Sequence, residues 1–139
     1  MEIEIVTGIL EEGDLHTETF HFLIKLMGYR NQLRMNHWQT HSYAEHKLTD
    51  DVMEVLGEFI DSIGEAALGQ FGRPKVNTVS TNVQDIALAS TEFILTLIND
   101  NTFQLMKKYK ETDHEGIFAL LSELDAHNKK HLFLCTLGA

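Results

Sequence analysis

The chain has 139 residues, 43% hydrophobic and 23% charged, which by length and composition makes one ordinary globular domain over 1–139. Its 21 acids against 11 Lys and Arg give a net charge of −10, the wrong sign for a duplex-DNA footprint, and no 18-residue apolar run offers a membrane span. The single cysteine, Cys135, excludes an internal disulfide and fits a reducing cytosol, so a cytoplasmic protein is expected.

Residues 1–13 are acidic and lack the basic start of a signal peptide. Ile3, Ile5, Val6, Ile9 and Leu10 suit a docked strand or helical turn. The first helix is expected over 14–39, where Phe20, Phe22, Leu23, Ile24, Leu26, Met27 and Tyr29 cover most of the circumference and predict a middle buried on several sides. Residues 40–43 turn the chain. A second helix is expected over 44–70, with Leu48, Val52, Val55, Leu56, Phe59, Ile63 and Ala66 recurring at three- and four-residue steps. Gly72 and Pro74 end it, since glycine is free to cap and proline cannot continue a helix. Residues 75–81 read as a polar connection. The third helix is predicted over 82–110, capped by Ser80 or Thr81, with Lys107, Lys108 and Lys110 at the negative end of its dipole. The fourth is predicted over 113–136, with Thr112 and Glu115 at capping-box spacing. Four long helices with mostly short loops predict an all-α up-down bundle.

The chemistry concentrates between His37 and Glu65. At about 100° per residue, Asp50, Glu54, Asp61 and Glu65 fall opposite the apolar face of the second helix, and His46 lies close to that stripe. Such a stripe is ordinarily a solvated face. Gly57 and Gly64 beside it count against that, because each costs a helix about 1 kcal/mol relative to Ala. His46 with Asp50, and Asp61 with Glu65, are i, i+4 pairs, each able to offer two ligands to one ion. The pairs are about 22 Å apart along a helix, so one chain cannot close the shell. Two copies crossed antiparallel near Leu56 and Gly57 would bring opposite pairs together. The residues therefore suggest a symmetric dimer with two identical metal sites.

His37-Trp38, then His46, Asp50 four residues on, Asp61 fifteen on and Glu65 nineteen on also resemble the signature of the Dps-like mini-ferritins, the DNA-binding proteins from starved cells. Lys129–Cys135, reading KKHLFLC, is similar to the last helix of that family. The resemblance implies a ferritin-like antiparallel four-helix bundle and a homo-oligomer of two-fold dimers forming a twelve-subunit cage. It implies a ferroxidase that oxidises Fe(II) with peroxide or dioxygen, stores the ferric mineral and protects against oxidative damage. The implied site takes His37, His46 and Asp50 from one subunit and Asp61 and Glu65 from the other, with iron, up to two ions, between them. The segment after Pro74 is too short for the small helix that the family places there.

Other constellations in the sequence also offer donors. Glu18 and His21 have di-iron spacing, with Glu92, Glu123 and His127 as the only further donors for a site inside the bundle. His37, His41 and His46 are a three-histidine alternative for zinc or nickel, making a His-rich metal-dependent bundle. Asp113, His114 and Glu115 open the last helix, which in such cages lines a three-fold pore. His131 and Cys135 read as structural. DNA binding is not expected without a lysine-rich tail, and an acidic surface suits cation attraction instead. The alternative function is a helical-bundle interaction protein whose metal site is structural or vestigial.

Overall fold

A computed structural model describes the backbone of residues 3–6 and residues 14–138 in full. The elements run β1 Ile3–Val6, α1 Leu15–Gln39, α2 Tyr43–Phe71, β2 Thr78–Thr81, α3 Thr91–Lys110 and α4 Glu115–Cys135. The leader residues expected to dock are described only as the strand β1; Ile9 and Leu10 lie outside the described residues.

The fold is an all-α antiparallel four-helix bundle. Asp14 caps α1 by accepting the Thr17 amide at 2.6 Å, and that bond is the main reason its carboxyl is held below its ordinary range. Ser42 caps α2 through the Glu45 amide, and Gly72, at φ 87°, ends it. Side chains from all four helices meet in one core, with Leu26, Leu33, Leu56, Ile63, Ile94, Ile98, Leu121 and Leu124 almost fully buried.

The helix order differs from a simple up-down bundle. Thr19 reaches Tyr109, Tyr29 reaches Asn101 and Asn36 reaches Thr91, so α1 and α3 are antiparallel neighbours. Asp51 meets His131 and Phe59 meets His127, so α2 and α4 are antiparallel neighbours too. Helices α2 and α3 therefore run parallel across the diagonal. The chain returns along the bundle through 72–90, a single long crossover. α2 alone is 29 residues long, about 43 Å, so this connection has to be extended. Part of it, β2, pairs antiparallel with β1.

The third helix begins at Thr91, not at residue 82. A column of buried amides on α1 captures the segment before it. Gln32 donates to the Gln84 carbonyl and accepts the Gln84 amide, both at 2.8 Å, as a neighbouring strand would. Asn36 donates to Ala89 O, and Gln39 accepts from Ile86 N. These bonds spend the backbone groups that an early helical turn would need. Ser90, not Ser80 or Thr81, is the cap. The Thr112 capping box is also absent: the cap position is His114, and Thr112 instead accepts the His114 amide and donates to Tyr109 O.

Candidate metal centre

The short α1–α2 turn stacks two of the expected ligands on each other. The rings of His37 and His46 lie 3.7 Å apart, 19° from parallel. Each is tied to the other's backbone: His37 Nδ1 to the His46 carbonyl at 2.9 Å, and His46 Nδ1 to the His37 carbonyl at 3.0 Å. A carbonyl oxygen only accepts, so each Nδ1 carries its proton. The neutral ring then presents Nε2 as a bare lone pair, the tautomer that binds metals, with orientation fixed by the Nδ1–H···O=C bond. The same Nδ1 of His37 also lies 3.0 Å from the hydroxyl of buried Thr49. Below the pair, Glu45 accepts from the hydroxyls of Thr40 and Thr91 and so ties the turn to the start of α3.

The stacking has a chemical consequence. The lone pair of an imidazole lies in the ring plane, and two nearly parallel planes 3.7 Å apart aim at two different points. One ion at about 2.1 Å from both nitrogens is not available to this arrangement. Each ring suits its own ion, or the rings must part.

Asp50 is exposed, one turn beyond His46. Asp61 and Glu65 lie farther along α2 and line a groove of about 590 Å³ between α1 and α2, with Arg30, Gly57, Ile60 and Gly64. Among the described residues no group of three or more His, Cys, Asp or Glu side chains is placed to hold a metal ion within one chain. Among the described residues the chain thus joins His37 with His46, brings no third donor to them, Asp50 included, and leaves Asp61 and Glu65 farther along α2.

The same holds for the other donor sets among the described residues. Glu18 forms an ion pair with Lys108 at 2.8 Å. Glu92 is in the first turn of α3, at the far end of the bundle, and His127 packs edge-on against Phe59. Among the described residues these donors do not gather into a di-iron centre inside the bundle. His41 is exposed on the turn and completes no three-histidine site. The His114 ring packs edge-on against Phe71 and Tyr109, while Asp113 and Glu115 face solvent.

Leu56 does not reach the face where a second helix would cross, because it is buried in its own core. The space beside Gly57 is taken first by the same chain: a Cβ there would meet the Arg30 guanidinium at 3.4–3.6 Å. Gly64 faces Leu23 at 3.7 Å. Sequence reasoning passed over Arg30, Glu45 and the Gln32, Asn36, Gln39 column. The column was visible as amides recurring along one helical face; Arg30 carried no signal of its own. His131, only 2% exposed, donates its Nε2–H to the Asp51 carboxylate at 2.9 Å, which is a structural role. Cys135 is half-buried, and burial, with Glu92 and Glu45 nearby, pushes its thiol pKa up.

No helix among the described residues is long and apolar enough to cross a membrane. No curated protein matches the chain, and no solved structure matches it. A family model does match, over residues 37–133, from the first expected ligand to the last turn of α4. By that match the chain belongs to DUF5856, a family of unknown function.

Proposed function

We propose that this protein is a Dps-like mini-ferritin that oxidises Fe(II) at sites shared between two chains and stores the ferric product. The observation that carries the reading is the reciprocal lock of His37 and His46. It holds two imidazoles side by side at the α1–α2 turn with each Nδ1 tied to a carbonyl, which leaves Nε2 for a metal. The single long crossover, the topology of ferritin-like bundles, supports it further. Nitrogen and carboxylate donors with open positions suit ferrous iron. Two ions, one for each ring, match a two-electron oxidant. Two Fe(II) give one electron each to a peroxide, its O–O bond breaks, and two protons complete two waters without a free hydroxyl radical. Asp61 and Glu65 of a second chain complete the shell, with Glu65 bridging. The twelve-subunit cage and the cytoplasmic location come with the resemblance and the residue usage.

A second reading is a bundle that acts through its surface. Trp38, Tyr43 and Leu137 are 68%, 74% and 64% exposed at one end of the molecule, which favours partner binding there. Iron oxidation by the purified protein separates the two.

The sharing of the site is tested by complementation. One variant carries His46→Ala and Asp50→Ala, the other Asp61→Ala and Glu65→Ala. Each alone loses most iron oxidation, since every site lacks two ligands. In a mixed dimer one site collects all four defects and the other none, so co-assembled chains regain up to about half of the wild-type rate. Full activity in either variant alone, or no recovery in verified mixed dimers, means that the ligands are assigned wrongly.

A further inference from the structure

Arg30 is half-buried in the groove between α1 and α2, where Asp61 and Glu65 also lie. Its Nε donates to the Met53 carbonyl at 2.8 Å, and its guanidinium rests on the bare face of Gly57. The backbone bond uses one of five donors and leaves the outer nitrogens to be satisfied. Among the described residues, Arg30 forms no ion pair with any carboxylate. Glu54 is exposed on the same side of α2 as Asp50, Asp61 and Glu65, and it too forms no ion pair there.

The register of the shared site brings these two groups together. It places His46 opposite the partner's Glu65 and Asp50 opposite the partner's Asp61. The same antiparallel register places Gly57, with Arg30 lying over it, opposite the partner's Glu54. A two-fold axis repeats the match, so one face carries both halves of a self-complementary pair. We propose that Arg30 of each chain closes on the Glu54 carboxylate of a second copy of this chain, and that this reciprocal ion pair sets the register that completes the metal sites. Gly57 is the residue that lets the guanidinium lie flat enough to be reached. Arg30 and Glu54 act as positioning residues and touch no metal. The inference rests on the antiparallel dimer of the proposed function.

The test is a charge swap on the full chain. Dimerisation is read by sedimentation equilibrium at several salt concentrations, and iron oxidation is read separately. Glu54→Arg and Arg30→Glu each weaken the dimer about tenfold or more, because each creates two facing like charges. The double variant restores the dimer to within about threefold of wild type, following the same charge complementarity. Glu54 is exposed, so its reversal leaves the fold intact, and circular dichroism checks the Arg30 variant. No effect of Glu54→Arg on the dimer, or no rescue by the swap in folded protein, overturns the pairing even if wild-type iron oxidation stands. Rescue in a protein that does not oxidise iron upholds the pairing and overturns the ferroxidase reading. A wild-type chain that stays monomeric overturns both.

Discussion

His131 shows how burial and a charge partner compete over one proton. Burial lowers its pKa most, Asp51 works the other way through its hydrogen bond and charge, and His127 and Lys130 add a small further push down. The folded ring therefore takes a proton less readily than the unfolded one. The sign follows: the unfolded chain binds the extra proton first, so stability holds above about pH 6.5 and falls as the pH drops below it. His131→Gln, compared with wild type by urea melts between pH 5 and 7.5, flattens that acid limb. An unchanged slope places the titration elsewhere. At the candidate metal centre the tautomers matter most. Two carbonyls that can only accept turn a pair of surface histidines into oriented donors.

Among the elements, the crossover depends most on tertiary contacts. Residues 82–90 include Val83, Ile86 and Leu88, apolar enough to suggest a helix, yet α1 holds them as an irregular segment through Gln32, Asn36 and Gln39. Gln32→Ala leaves both backbone groups of Gln84 without their side-chain partner, at a cost of about 1–3 kcal/mol. Urea melts register the loss, and limited proteolysis finds new cleavage within 82–90; wild-type resistance means that the clamp is dispensable. Helix α2 offers the opposite test. A Cβ at Gly64 would sit 3.7 Å from Leu23, ordinary contact, so Gly64→Ala raises stability by up to about 1 kcal/mol through helix propensity. A fall in the melting temperature instead points to another chain packed against this glycine.

At the scale of the molecule, charge decides between partners. With net −10 and five of the 11 cations in the α3–α4 pair, two of them bound to Glu18 and Asp125, no continuous basic surface remains for phosphates. Duplex DNA is therefore not retained in a gel shift at neutral pH and about 0.15 M salt without bridging divalent ions. Tight complexes there refute this. The helix arrangement acts at the same scale. It sets the His37–His46 pair at one end of the α1–α2 face and Asp61 with Glu65 toward the other.

The sequence by itself determined that there are four helices, because their apolar periods are local. α1 and α2 appear within a residue or so of their predicted bounds, and α4 within two. It also determined that the two halves of the candidate site lie apart, since rise per residue alone separates them. Only the tertiary structure decided the rest. The start of α3 depends on amides some 50 residues away in sequence. The diagonal placement of α2 and α3 depends on which faces meet. The stacking of His37 on His46 depends on a three-residue turn that folds two helix ends together. The use of Gly57 by Arg30 is a contact between helices. Each of these is a choice among partners distant in sequence, and local propensity carries no information about that choice.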